Sequence, residues 1–281
     1  MKSNGQGQSF ATIDKERRIG SGIAVGMRIA SYRFAGRGFR YWHYDANCGS
    51  GENEKIGVAG SPIVFWQVAY DCLRGLDPAP YFCDIDENAI RRLQQRLNND
   101  PEASSRSVLL HGDNSDGLDT FANAIRRSGE NRKYVVGSVL VDPNGYIYRN
   151  RHGGGVSIEK LQEFAYEFPR IDIILNLNVR IYKLQAAHNH NVIHPQQLLR
   201  SLKLHWLLGR AYVGQARFVL AVGRNVKTKP HEALGLVHWD SLDGQEIMAL
   251  FEKSLGRPPR RRSIAPRQKL IIPEEGNYDI P

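Results

Sequence analysis

The chain has 281 residues, of which 41% are hydrophobic and 24% charged, a balance that suits a large α/β core and excludes a disordered chain. A formal net charge of +9 and a pI near 9.5 favour polyanionic partners, because Lys and Arg displace counterions condensed on a phosphate backbone. Three cysteines (Cys48, Cys72, Cys83) without a C-x-x-C pair argue against a disulfide framework or zinc knuckle. No apolar run reaches membrane-span length, residues 1–7 are polar, and the chain reads as a soluble cytoplasmic protein with no membrane partner.

Residues 1–37, rich in Gly, Ser and Arg, read as an N-terminal arm that is partly helical at best. From Phe39 short apolar runs alternate with helical periodicity. Tyr41–Ala46 predicts a strand, and Pro62–Leu73 a helix with Pro62 in its first turn and Ser61 as its cap. Tyr81–Asp84 predicts the second strand and Glu87–Leu97 a helix with Ile90, Leu93 and Leu97 on one face. Val108–Leu110 and Leu118–Arg127 follow as strand and helix. Val135–Val141 is nearly continuous β-branched sequence, as expected of a strand covered on both faces. Ile158–Phe168 predicts a helix and Ile171–Leu177 another buried strand. Gln196–Leu202 suits a helix, and Trp206–Tyr212 with Arg217–Val222 an antiparallel pair closing the sheet edge. Past Val222 the strand rhythm stops, leaving a helix over Gln245–Leu255 and a Pro- and Arg-rich tail. Strands and helices alternating in this way indicate a Rossmann-like α/β fold with a doubly wound, mostly parallel sheet, an antiparallel edge pair and basic terminal extensions. The expected organisation is an arm over 1–37, an α/β domain over 38–224 and a helical and basic extension over 225–281.

The segment Asp45-Ala46-Asn47-Cys48-Gly49-Ser50-Gly51 directly follows the first strand. Glycines there permit positive φ and let the backbone approach a ligand at the carboxyl edge of a parallel sheet, although a tight turn alone has the same look. Acids recur at the later strand ends. Asp84, with Asp86 nearby, ends the second strand, where a carboxylate can accept ribose hydroxyls or simply sit in a solvated turn. Asp113, in His111-Gly112-Asp113, ends the third, where it can accept from an adenine amino group or cap the next helix. Asp142-Pro143-Asn144-Gly145-Tyr146 ends the fourth. Turn chemistry alone does not readily account for such signals at successive strand ends.

This series resembles the class I S-adenosylmethionine-dependent methyltransferases over roughly residues 39–222. The glycine turn is similar to that of DNA and RNA amino-methyltransferases through Asp45, Gly49 and Gly51, with Asn47 standing where those enzymes carry Phe. A narrower likeness is to the three-Cys-motif partner proteins, through the Asp-x-x-x-Gly-x-Gly turn, Gly60-Ser61-Pro62 and Asp142-Pro143-Asn144-Gly145. The resemblance implies S-adenosylmethionine as cofactor, with Asp45, Asn47, Gly49 and Gly51 around its methionine part, Asp84 on the ribose and Asp113 on the adenine. It also implies DNA modification, association with mobile or phage-derived genes, and DNA or RNA, and a protein complex, as partners.

At the fourth strand end, amino-methyltransferases carry Asp-Pro-Pro-Tyr or a close variant. An exocyclic base amine is a poor nucleophile because its lone pair is delocalised into the ring. A carboxylate and a carbonyl accepting its protons favour tetrahedral geometry, while an aromatic ring stacks on the flipped base. Asp142 and Pro143 match; Asn144 and Gly145 depart, leaving Tyr146 one residue late as the stacking candidate. The expected catalytic residues are therefore Asp142, Pro143 and Tyr146. A non-catalytic Asp-Pro turn gives the alternative, a catalytically degenerate methyltransferase-like protein that binds nucleic acid or a partner. A dinucleotide-dependent oxidoreductase fits less well, because Glu52, Asn53 and Glu54 stand where G-x-G-x-x-G needs its third glycine. Arg149, Arg151 and His152 before Gly153-Gly154-Gly155, and the tail Arg260-Arg261-Arg262 with Arg267 and Lys269, suit phosphate contacts or ordinary solvated surface. His188, His190 and His194 read as a polar loop, and no metal site is expected.

Overall fold

A computed structural model describes residues 10–53, 57–142, 156–179, 182–183, 194–209, 218–225, 227 and 235–256. Five parallel strands form its centre: β1 (Arg40–Asp45), β4 (Asp77–Asp84), β5 (Val108–His111), β6 (Val136–Val141) and β7 (Ile171–Asn178). Between β1 and β4 lie a two-stranded ribbon, β2 (Glu52–Asn53) with β3 (Val58–Ala59), and the helix α2 (Ser61–Cys72). Helices α3 (Glu87–Leu97), α4 (Pro101–Arg106), α5 (Asn114–Arg127) and α6 (Ile158–Glu167) fill the remaining crossovers. Three further strands, β8 (His205–Gly209), β9 (Phe218–Arg224) and β10 (Leu236–His238), extend the sheet beyond β7, with α7 (Pro195–Ser201) before β8 and α8 (Leu242–Gly256) after β10.

The strand order is β10-β8-β9-β7-β6-β1-β4-β5. Counting the parallel strands alone, it runs third, second, first, fourth, fifth, so the order reverses between β1 and β6. In open α/β sheets the crevice at such a reversal, outside the carboxyl ends of the strands, is where ligands bind.

Alternation along the strands separates two apolar layers. Trp42, Tyr44, Val139, Val141, Ile173 and Leu175 face α5, α6, α7 and α8. Tyr41, Phe82, Val136, Leu140, Ile174 and Leu220 face α1 (Phe10–Phe34), α2, α3 and α4. The helix–sheet–helix sandwich expected from the sequence is present. Most predicted elements agree within a few residues, and α3 agrees at both ends.

The differences have physical causes. The region expected as an arm carries α1, a helix of 25 residues whose Ile19, Ile23, Met27, Ala30 and Phe34 are buried against the sheet and α2. These recur at helical spacing, and an intervening glycine lets α1 come close to α2: a Cβ on Gly20 would stand only 2.9 Å from Val64 Cγ1. Ser61 is not the cap of α2; Gly60 holds that position without a side-chain bond, and Ser61 is the first helical residue. β9 pairs with β7 on one side and β8 on the other, so the predicted edge pair is threaded into the sheet and β10 forms the edge where no strand was expected.

Candidate functional site

Asp45 closes β1 with its side chain fully buried. One carboxylate oxygen, Oδ1, accepts from the Asn47 N–H at 3.1 Å, bending the chain into the glycine turn. The Ser61 hydroxyl hydrogen-bonds the same carboxyl group, and burial, reinforced by the charges of Asp142 and Glu16, pushes its pKa up to about 7.

Beyond Asn47, the Cys48 N–H donates to the Cys83 carbonyl at 3.0 Å and the Gly49 N–H to Asp84 Oδ2 at 2.9 Å. The turn of β1 is thus tied to the end of β4, its neighbour in the sheet. Gly49 and Gly51 have φ of +60° and +78°, which L side chains adopt at a cost. A Cβ on Gly49 would meet no atom of the described residues within 4 Å, so among them open space lies over this residue, whereas one on Gly51 would stand 2.8 Å from Leu93 Cδ1. Arg96, on α3, secures the far side of the turn by donating to the Ser50 carbonyl at 2.6 Å and to Glu52 Oε2 at 3.0 Å. Sequence patterns gave no sign of this role for Arg96.

At the end of β4, Asp84 Oδ1 accepts from the Asp86 N–H at 2.9 Å, so its two oxygens each take one backbone donor. A carboxylate offers about four lone-pair sites, which leaves Asp84 able to accept more. Beside it Ile85 is 58% exposed, an apolar side chain standing in the open at the same strand end. At the end of β5, Asp113 caps α5 by accepting from the Ser115 N–H at 2.8 Å. The capping alternative stated for Asp113 is therefore realised.

Asp142 follows β6. Its Oδ2 accepts from Lys15 Nζ at 2.5 Å and its Oδ1 from Asn176 Nδ2, on β7, at 2.6 Å. Lys15 also pairs with Glu16 at 2.9 Å. Burial opposes a charged Lys15, but Asp142 and Glu16 outweigh it and raise its pKa well above the ordinary lysine value. Burial also raises the Glu16 carboxyl above the usual range, against the lowering influence of Lys15. Neither Lys15 nor Glu16 carries a motif; only the apolar repeat of α1 could have brought them to attention.

The structure thus brings Asp45, Asn47, Gly49, Gly51, Asp84, Asp113 and Asp142 to the carboxyl edge of the parallel strands. Pro143 and Tyr146 lie outside the described residues, as do the basic loop at 149–155, His188, His190 and the tail from 257. His194 precedes α7 and approaches Glu252 at 3.6 Å. Among the described residues no group of three or more His, Cys, Asp or Glu side chains could hold a metal ion. Among them, too, no helix is long and apolar enough to cross a membrane.

No protein-family model matches the chain, and no curated protein does. Its likenesses are to solved structures. One is a Clostridium thermocellum protein described as an rRNA methylase (13% identity, TM-score 0.40), covering 78% of this chain and 98% of that one. A second is the bifunctional kinase-methyltransferase WbdD (10% identity, TM-score 0.46), covering 77% of this chain and 40% of that one. A third is a geranyl diphosphate methyltransferase crystallised with GPP and sinefungin (12% identity, TM-score 0.40), covering 73% of this chain and 78% of that one.

Proposed function

We propose that the crevice between β1 and β6 binds S-adenosylmethionine and that the chain is a methyltransferase acting on nucleic acid, at an exocyclic base amine. The observation that carries this reading is the placement of Asp45, Asp84, Asp113 and Asp142 at four strand ends around the reversal of strand order. Two features fit the cofactor. The space over Gly49 admits a ligand against the backbone, and Ile85 offers an apolar surface beside a carboxylate suited to ribose hydroxyls.

S-adenosylmethionine supplies an electrophilic methyl group on a sulfonium. In this reading Asp142 accepts a proton from the amine, which must be held in line with that methyl, and Asn176 fixes the orientation of the carboxylate. Tyr146 stacks on the base. The net charge of +9 favours a polyanionic substrate.

Titration of the purified chain with S-adenosylmethionine, NAD and an Asp45→Ala control tests the cofactor. Micromolar binding of the first, lost in the control, is expected; binding of neither ligand rejects the reading. Transfer of labelled methyl to DNA or RNA, lost in Asp142→Asn, tests the reaction.

A second reading is a catalytically degenerate relative that binds nucleic acid or a protein partner. The Lys15–Asp142 contact favours it, since the expected proton acceptor is already neutralised by an ammonium. Cofactor binding with no methyl transfer to either nucleic acid would select it.

A further inference from the structure

At the amino edge of the sheet, opposite the crevice, β4, β1, β6 and β7 begin side by side, with Arg40 beside Asp77, Tyr41 beside Val136 and Gly137 beside Ile171. With β1 six residues long, this edge lies about 17 Å from the strand ends that carry the acids. The segments entering these strands meet there. The Arg74 N–H donates to Ser31 Oγ at 3.0 Å and the Gly36 N–H to the Gly75 carbonyl at 3.2 Å, which seats the end of α1 against the entry to β4. The Arg170 guanidinium, just ahead of β7, lies over the rings of Phe34 at 5.5 Å and Tyr134 at 5.2 Å, joining the same helix end to the entries of β6 and β7. The Tyr134 N–H closes its own turn on the Asn131 carbonyl at 2.8 Å, with Lys133 in that turn.

Arg33, Arg37, Arg74, Lys133 and Arg170 are all exposed on this edge, and among the described residues no carboxylate lies within ion-pair distance of them. The acids close by are engaged elsewhere: Asp77 with Arg106 at 2.9 Å, Glu130 with the Trp42 N–H at 3.3 Å, and Glu167 with Arg126 and Arg132. Asp71, in the last turn of α2, is one charge against five. The partial negative charge at the end of α1 favours Arg33, but it gives no reason for Arg74, Lys133 and Arg170 on other segments. Like charges grouped without counter-charges repel one another, and a polyanion offsets that repulsion. Two rings hold the Arg170 guanidinium while, among the described residues, its fork of donors stays unbound, a preorganised form that suits a phosphate.

Tyr32 and Tyr134 add a second kind of contact, being 92% and 44% exposed. An aromatic ring in the open among arginines is a platform for an unstacked base. A membrane surface calls for Trp, Phe or Leu at such a place, whereas the large exposed side chains described here are the two tyrosines.

We propose that this amino edge binds single-stranded nucleic acid, with Arg37, Arg74, Lys133 and Arg170 on its phosphates and Tyr32 and Tyr134 on its bases. It is a surface separate from the crevice between β1 and β6, it holds the strand without reacting with it, and it does not depend on the S-adenosylmethionine reading.

The test is fluorescence anisotropy of a labelled oligothymidylate on the full chain, without cofactor, over a range of salt. Arg37→Gln, Arg74→Gln and Lys133→Gln combined should weaken binding by about tenfold or more at about 0.15 M salt. The slope of log K against log salt should become shallower by about 2, since each phosphate contact on a single strand contributes about 0.7. Tyr32→Ser should weaken binding by about fivefold and leave the slope unchanged. Arg91→Gln, Arg92→Gln and Lys253→Gln combined remove the same charge from α3 and α8, and should leave affinity within about twofold.

An equal loss in that control would make the binding a matter of overall charge and overturns the proposal. So does a native chain that does not bind the oligonucleotide, or a Tyr32→Ser affinity equal to the native one. Loss of binding to phosphatidylserine vesicles in the first combination, with oligonucleotide binding intact, overturns it in favour of a membrane surface. If that combination fails to fold, Arg37→Glu alone is read by the same criteria. Because the readout needs no cofactor, failure here leaves the reading of the crevice to its own titration.

Discussion

Lys15 Nζ stands 2.5 Å from Asp142 Oδ2, joining α1 to the end of β6 across 127 positions of sequence. Both side chains are mostly buried, at 22% and 13% exposure, so the pair cannot be treated as a surface salt bridge. Lys15→Met leaves Asp142 and Glu16 without their cation, and an expected loss of about 2 kcal/mol follows in urea denaturation at pH 8. Combining it with Asp142→Asn should recover part of that loss. A double variant whose loss is the plain sum of the two singles would show that the contact is not energetically coupled.

Asp45 makes stability depend on pH. Its folded pKa of about 7 lies above the ordinary 3.8, so between those values the folded chain holds a proton that the unfolded chain has released. Stability from this group is therefore complete below about pH 4 and is lost as the pH rises to 7. Glu16 acts in the same sense. Asp45→Asn keeps an acceptor for the Asn47 N–H and removes the buried charge. It should flatten this slope and raise stability at pH 8 by on the order of 2 kcal/mol. A slope unchanged in the variant would assign the dependence to other groups.

Gly49 and Gly51 separate ligand access from folding. Gly51→Ala combines positive φ with a clash against Leu93, at an expected cost of about 3 kcal/mol. Gly49→Ala meets no neighbour among the described residues and should cost only about 1 kcal/mol. Its methyl group would nevertheless occupy the space over the turn. Affinity for S-adenosylmethionine should fall by about tenfold or more while the melting curve barely moves. Unchanged affinity would mean that the ligand does not lie against Gly49.

Gly117 sits where α5 crosses β1 and β4. A Cβ there would collide with the Tyr44 hydroxyl and lie 2.7 Å from Cys83 Sγ. The Tyr44 hydroxyl donates to the Asn114 carbonyl at 2.6 Å and so fixes the first turn of the helix. Alanine is the better helix former by about 1 kcal/mol, but the clash should outweigh it and leave Gly117→Ala less stable by about 2 kcal/mol. Thermal denaturation decides the sign.

What the sequence made legible follows from the range of the interactions involved. The boundaries of α3 were readable because Asp86 caps it locally and Leu93 and Leu97 repeat on one face. The strand-end acids were readable because each lies beside its own strand. Helix α1 was obscured by Gly20, Gly22 and Gly26, which count against a helix in isolation, but close packing requires two of them here: a Cβ on Gly20 would stand 2.9 Å from Val64 Cγ1 and one on Gly26 2.9 Å from the Tyr41 hydroxyl. β10, with three residues, is too short to show a period. At the site, Asp113 could be placed but not assigned between capping and ligand, since both uses want the same carboxylate. The partners of Asp142 were invisible, because Lys15 and Asn176 reach it only through the tertiary fold.

The threading of β9 between β7 and β8 also sets an order of events. β8 pairs with β9 and β10 and with none of the parallel strands, so it cannot join the sheet until a later segment has crossed back. As the chain leaves the ribosome, β7 is made first, and its apolar edge waits with open backbone donors and acceptors until Phe218–Arg224 arrives. Nascent chains that stall in this interval would expose that edge to one another, making this the point in synthesis at which aggregation competes with folding.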